Sequence, residues 1–228
     1  MPAAGRVAVI GHRGAPYDHR ENTLASLRAA LEAGADAVEV DVRLTADRVP
    51  VLLHDATLER LWGHDRRLSS LTHSRLDEAT AGGVPTLRDA LALTAEYPSA
   101  RTLVDLPDPT AAQAAVGEVR DSGAAGRVYY CGGGSAMLAV RAADPAAELA
   151  LSWRRSAPPR AELLARIRPR WLNYHFGLIT RDLVERAHGD GYLVAAWTTD
   201  RPRTARRLRH AGVDAVTTNR VAAVRAVL

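Results

Sequence analysis

The sequence predicts an α/β protein built as a single TIM-type (β/α)8 barrel with an extra hairpin arm after strand two. Three observations predict it. Short β-branched runs alternate with Ala- and Leu-rich helical stretches, the pattern of βαβ units around a parallel sheet. Nine runs read as strands, and one follows its predecessor too closely for a helix to intervene; the remaining eight are the number that closes a parallel barrel. The length, 228 residues, commonly makes one such barrel. An open doubly wound sheet also fits the alternation, but a regular eight favours closure.

Residues 7–10 form the first expected strand. A helix over 23–33 follows, with Leu24, Leu27 and Leu31 on one face, Asn22 or Thr23 as N-cap and Gly34 as the stop. Residues 37–44 and 49–53 come next, joined by a tight turn at Asp47-Arg48 into an antiparallel hairpin. A turn centred between those two residues sets Asp41 opposite His54. Strands are then expected over 103–106, 128–130, 147–153, 171–174, 192–198 and 215–218, with helices including 111–120, 161–167, 181–188 and 204–210. Residues 58–84 are the least regular connection and read as a rim excursion within one domain spanning 1–228.

Composition narrows the class. At 47% hydrophobic and 25% charged, with Gly and Pro scattered, the chain is neither disordered nor fibrous. All 30 basic residues are Arg, and with the heavy Ala usage this reads as a composition bias. The net charge of +4 suits anionic small molecules such as phosphate esters and does not argue for nucleic acid. Cys131, the single cysteine, excludes a disulfide framework and a thiolate metal cluster. Residues 1–5 lead directly into the first strand, and no run is long enough for a spanning helix, so a cytoplasmic protein without stable membrane insertion is expected, as a monomer or small homo-oligomer.

In a barrel of this kind catalytic groups sit at the C-terminal ends of the strands. Strand one ends in Gly11-His12-Arg13-Gly14, strand two carries Glu39 and Asp41, the hairpin arm ends in His54-Asp55, and the next strand offers Asp105. Glu39 and Asp41 point the same way, because strand side chains repeat every second residue. Each residue alone has a plain structural reading: a hydrogen-bonded histidine, a solvated Glu-x-Asp edge, an Asp105 that caps the next helix. Their convergence on one mouth favours chemistry. Carboxylates without sulfur suit one hard divalent cation, Mg²⁺ or Ca²⁺. Two histidines beside it can act as general acid and base, and Arg13 offers a planar fork to a phosphate. Trp197, at a strand end, either walls a substrate pocket or packs in the core. Asn173 and His175 end another strand. Glu21 suits the start of the first helix, His19, His64, His73, His188 and His210 read as surface residues, and residues 201–210 read as a solvated outer helix.

With these residues in place the chain resembles the glycerophosphodiester phosphodiesterase family. The likeness is carried by His12-Arg13-Gly14, Glu21-Asn22-Thr23, the run from Gly34 through Glu39-Val40-Asp41-Val42, Leu44-Thr45-Ala46-Asp47, Pro50 through His54-Asp55, and Pro85-Thr86-Leu87. It continues more weakly through Trp197-Thr198 and Gly212-Val213-Asp214-Ala215. The resemblance implies hydrolysis of a small-molecule phosphodiester to sn-glycerol 3-phosphate and an alcohol. It implies His12 and His54 as the acid–base pair, attack by the glycerol 2-hydroxyl to give a cyclic phosphate, and metal ligation by Glu39, Asp41 and the acid of the fourth motif strand. It does not say which histidine is the base.

Two departures stand out. Where the family has Glu-x-Lys, this chain has Asp105-Leu106-Pro107, and where the family has Thr-Asp near the end it has Thr218-Asn219. Proline cannot bind phosphate as lysine does, so that role passes to Arg13, with Arg43 or Arg154 as further candidates. Alternative readings are a lysophospholipase D-type phosphodiesterase acting on a single-chain lipid, and a catalytically weakened barrel that binds phosphoesters.

Overall fold

The computed structural model describes residues 6–228; the lead at residues 1–5 lies outside the described residues. The chain enters β1 (Ala8–His12), crosses α1 (Leu24–Glu32) and returns in β2 (Ala37–Leu44), parallel to β1. It folds back as β3 (Pro50–Leu52), antiparallel to β2 and outside the ring. In the rim segment β4 (Thr57–Leu58) and β5 (His64–Arg67) pair across α2 (Glu59–Trp62), and α3 (His73–Thr80) leads out.

From α4 (Leu87–Ala95) the alternation is regular: β6 (Arg101–Asp105), α5 (Ala112–Asp121), β7 (Val128–Gly132), α6 (Gly134–Ala143), β8 (Leu149–Trp153) and α7 (Ala161–Ile167). Then come β9 (Trp171–His175), α8 (Arg181–Gly189), β10 (Leu193–Trp197), α9 (Pro202–Ala211), β11 (Ala215–Thr218) and α10 (Val221–Arg225). β11 pairs with β1, which closes eight parallel strands into the expected barrel.

Side-chain alternation divides the core into two layers. Inside the ring, Ile10, Ala37, Leu103, Tyr129, Cys131, Ala150, Trp171, Ala195 and Ala215 form one buried cluster. Tyr129 and Trp171, with ring centroids 6.1 Å apart, fill the space that the alanines leave. The alternate positions, among them Val9, Val38, Val40, Val104, Leu151 and Val216, face outward and pack with Leu27, Leu91, Met137, Val184 and Leu208 of the helices. Under the rim segment Val51, Leu53, Leu58, Leu68, Leu71, Leu76 and Val84 make a third buried cluster.

Most boundaries move by a residue or two from the expected ones. One correction matters. β2 and β3 pair Val42 with Leu52 and Leu44 with Pro50, so Leu53, whose N–H donates to the Asp41 carbonyl at 3.0 Å, stands opposite Asp41 instead of His54. The turn is one residue longer than a two-residue loop. Arg48 takes a left-handed conformation (φ 63), Asp47 accepts from the Thr45 hydroxyl at 2.6 Å, and Val49 N–H donates to the same hydroxyl at 2.9 Å. His54 still reaches the mouth, because β3 ends at Leu52 and the chain leaves the ladder before it. Thr23, not Asn22, caps α1, and Asp108 rather than Asp105 caps the turn after β6.

Candidate active site

The last inward positions of the eight strands meet at the C-terminal end of the barrel. His12, Glu39, Asp41, Asp105, Cys131, Ser152, Asn173, Trp197 and Thr217 all line one cavity of about 550 Å³, together with Arg13, His54, Pro107, Arg154 and Arg155. Of the residues expected from sequence to act as catalyst, metal ligand or substrate contact, only Arg43 fails to line it. The Arg43 Nε donates to the His54 carbonyl at 2.8 Å, so this arginine props the hairpin end rather than reaching into the cavity.

The loop after β1 ties the acids down. Arg13 (φ 57), Gly14 (φ 88) and Asn22 (φ 56) all adopt left-handed conformations. A Cβ on Gly14 would lie 2.4 Å from the backbone of Ser26, so only glycine fits there. This shape brings the Arg13 N–H to Glu39 Oε2 at 2.9 Å and the Asn22 amide to Asp41 Oδ2 at 2.8 Å. The Arg13 guanidinium is already committed. Its Nε lies 3.0 Å from Asp41 and its NH1 donates to Glu21 at 2.9 Å, while Glu21 also accepts from Arg60 at 2.6 Å. From sequence Asn22 is read only as a candidate helix cap and a motif residue, and Arg60 not at all; an Asn near a His-Arg-Gly turn carries a weak signal for a left-handed position, and Arg60 carries none.

Glu39, Asp41 and Asp105 each bring a carboxylate oxygen within 4.8 Å of the others, with Glu39 only 5% and Asp41 only 2% exposed. Burial and the neighbouring acids Asp41 and Asp105 push Glu39 well above the usual carboxylate range. Burial, then Asp41, pushes Asp105 up to about 6. Arg13 is the cation in contact with this group, and one guanidinium does not neutralise three acids. Three oxygen-only donors, two buried and one half-buried, crowded against one another fit a hard divalent cation.

Both histidines are oriented through Nδ1. His12 Nδ1 lies 2.7 Å from Asn219 Oδ1, and the Asn219 amide group donates to Asp200 at 2.9 Å. That second bond fixes Asn219 with its oxygen toward His12, so His12 Nδ1 carries the proton and Nε2 is left as the acceptor. Asp200 also accepts from Asn219 N–H at 2.7 Å, Tyr17 OH at 3.1 Å and Thr218 Oγ1 at 3.2 Å. Burial, then Arg13, lowers the His12 pKa. His54 Nδ1 instead meets a carboxylate, Asp55, at 2.7 Å, and Asp55 accepts from Arg60 Nε at 2.6 Å.

The opposite wall is made by the loops after β8 and β10. The Arg154 guanidinium stacks 4.8 Å over the Trp197 ring. Asn173 donates to Ser152 Oγ at 3.3 Å, and its buried Oδ1 has no hydrogen-bond partner among the described residues. His175 lies outside the cavity, edge-on to Trp197. Of the histidines read as surface residues, His19, His64, His188 and His210 are exposed and His73 is half-buried.

A parallel barrel whose mouth combines an acid cluster with two histidines held through Nδ1 belongs with phosphoester-processing barrels, and the family model bears this out. The chain belongs to the glycerophosphoryl diester phosphodiesterase family, whose model matches residues 12–223. Over 99 residues it is 39% identical to glycerophosphodiester phosphodiesterase 1 of Bos taurus, a match that takes in 38% of this chain and 30% of that protein. A glycerophosphodiester phosphodiesterase from Thermotoga maritima has the same fold, with a TM-score of 0.86 at 24% identity, covering 98% of this chain and 99% of that one. An Oleispira antarctica phosphodiesterase, solved with the product sn-glycerol-3-phosphate, matches with a TM-score of 0.83 at 26% identity over 96% of each chain. Among the described residues no helix is long and apolar enough to cross a membrane.

Proposed function

We propose that this chain hydrolyses glycerophosphodiesters to sn-glycerol 3-phosphate and an alcohol, with one divalent cation, Mg²⁺ or Ca²⁺, held by Glu39, Asp41 and Asp105. One observation carries the reading: two buried carboxylates and a half-buried third share a single cavity with two histidines, each held by a hydrogen bond at Nδ1. When bound, the cation supplies Lewis-acid charge at the phosphoryl oxygens.

The protein's own groups divide the remaining work. His12, kept neutral by burial and Arg13, is the general base: its Nε2 takes the proton of the glycerol 2-hydroxyl, whose oxygen then attacks phosphorus. His54, with Asp55 behind it to support the imidazolium, is the general acid and protonates the departing alkoxide. The five-membered cyclic phosphate that results is opened by water with the two roles exchanged, which yields glycerol 3-phosphate. Pro107 cannot hold the phosphate, and the Arg13 guanidinium is engaged by Asp41 and Glu21. Arg154, which lines the cavity and stacks on Trp197, therefore takes that task. The unpaired Asn173 Oδ1 is an acceptor for a substrate hydroxyl.

A single-chain lipid is the weaker substrate candidate: among the described residues the exposed large hydrophobic ones are Tyr17 and Leu24, and neither lines this cavity. The test is release of glycerol 3-phosphate from a panel of glycerophosphodiesters in EDTA, Mg²⁺ or Ca²⁺. Metal-dependent release is expected. No release from any member would favour a barrel that binds phosphoesters without turning them over, the reading that Pro107 motivates.

A further inference from the structure

The cavity is electrically lopsided. The acids and histidines occupy the wall made by β1, β2, the end of the hairpin and β6. The far wall holds two adjacent arginines, Arg154 and Arg155, on the loop after β8. Several guanidinium groups elsewhere are spent on structure: Arg101 on Glu148, Arg141 on the Ile167 and Pro145 carbonyls, Arg207 on those of Ile179 and Phe176, Arg225 on Asp36. Arg154 and Arg155 instead lie over aromatic rings, as Arg20 does over Trp62 and Arg220 over Tyr17, but Arg154 and Arg155 line the cavity. Arg154 lies over Trp197 at 4.8 Å and Arg155 over Trp153 at 6.0 Å. Trp153 is itself anchored, its Nε1 donating to the Ala157 carbonyl at 2.7 Å. Stacking leaves the N–H edge of a guanidinium free, and that edge matches a carboxylate or phosphate.

A phosphodiester in this cavity has two ends. The glycerol end lies against His12 and the leaving oxygen against His54, so the rest of the head group, beyond that oxygen, extends across the mouth toward the loop after β8. We propose that Arg155, beside the phosphate-holding Arg154, forms a subsite for a negatively charged head group, and that the enzyme discriminates against head groups carrying a quaternary ammonium. This rests on the phosphodiesterase reading above. A choline cation is normally held on aromatic faces. Here a guanidinium lies over Trp197 at 4.8 Å and another stands 6.0 Å from the Trp153 ring, so a choline would meet like charge beside each π face.

The experiment compares kcat/KM for three glycerophosphodiesters at fixed Mg²⁺: glycerophosphocholine, neutral glycerophosphoglycerol, and glycerophosphoinositol 4-phosphate, whose head group is anionic. The expected order is anionic above neutral above choline, with about fivefold or more between successive members. Arg155→Ala should bring the anionic-to-neutral ratio close to one, and Arg155→Glu should raise the choline-to-neutral ratio above its wild-type value. A merely structural arginine would lower all three rates together and leave the ratios alone. Choline turned over as well as the anionic substrate, or ratios unmoved by Arg155→Glu, would overturn the subsite while leaving the phosphodiesterase reading intact. Turnover of none of the three would remove that reading and the subsite with it.

Discussion

The two ends of the barrel use the same residue types to opposite effect. At the N-terminal end each acid is surrounded by donors. Glu148 accepts both ends of the Arg101 fork at 3.0 Å, Trp171 Nε1 at 2.8 Å and Arg170 at 3.4 Å, while Arg101 lies 4.4 Å over the Tyr129 ring. Asp36 accepts Val9 N–H at 2.8 Å and pairs with Arg6 and Arg225, and Asp214 accepts Val194 N–H at 2.7 Å and pairs with His188. At the C-terminal end Glu39, Asp41 and Asp105 crowd round one arginine that Glu21 also claims. The pKa directions follow the geometry. Burial alone would raise Glu148, but Arg101, Trp171 and Arg170 carry it below its ordinary value, whereas Glu39 and Asp105 are raised. Charge that is satisfied within the fold stabilises it; charge left unsatisfied is available to a ligand.

This contrast can be broken from either side. The largest effect is expected at the acid cluster. Chelation by EDTA should abolish glycerol 3-phosphate release and added Mg²⁺ or Ca²⁺ should restore it, a loss of about 10³-fold or more. Glu39→Gln should lose a similar factor while its melting temperature in EDTA stays at or above that of the wild type, because one of three repelling charges is gone. A lower melting temperature for Glu39→Gln would show that the cluster is structural after all.

His12→Ala and His54→Ala should each lower kcat by about 10²- to 10⁴-fold with folding unchanged by circular dichroism; wild-type rates in both would refute the acid–base pair. Behind His12, Asn219→Ala should cost about tenfold in kcat at nearly constant KM. Asn219→Asp should recover only part of this, because an Asp can still accept from His12 Nδ1 but sets a second carboxylate against Asp200.

The smallest effect belongs to the opposite end and should appear in stability, not rate. Glu148→Gln should lower the unfolding free energy by about 1–3 kcal/mol at neutral pH, read by urea titration, and leave kcat within twofold. The Glu148 pKa is depressed in the folded state, so its stabilisation is present above the ordinary glutamate pKa and is lost as pH falls through the folded value. The gap between wild type and Glu148→Gln should therefore shrink on acidification below about pH 4. A gap that widened there would invert the assignment.

Local chemistry was legible in the sequence and long-range pairing was not. β2 is read with its observed ends, because its run is bounded by Asp36 and Thr45, and His12, Glu39, Asp41, His54 and Asp105 all fall at one mouth as strand ends predict. The hairpin register slipped by one because Arg48, a residue with no turn signature, takes the left-handed position that Gly or Asn usually marks. α4 went unremarked although its capping box, Thr86 with Asp89, was readable. Arg43 shares a face with Asp41, yet it lies beyond the part of β2 that the barrel encloses and turns back to its own hairpin. Arg101 and Glu148 stand 47 residues apart, and nothing in either neighbourhood names the other.

The longest of these links has a consequence for how the protein is made. His12 and Asn219 are separated by 207 positions, and Asn219 directly follows the strand that closes the ring. During synthesis His12, His54 and the three acids emerge well before Asn219, the residue that orients the His12 imidazole. A ribosome-bound chain that has not yet made β11 thus holds both histidines and all three acids with that imidazole unanchored. On the proposed mechanism the base is aimed only once β11 has docked against β1, so closure of the ring comes before chemistry.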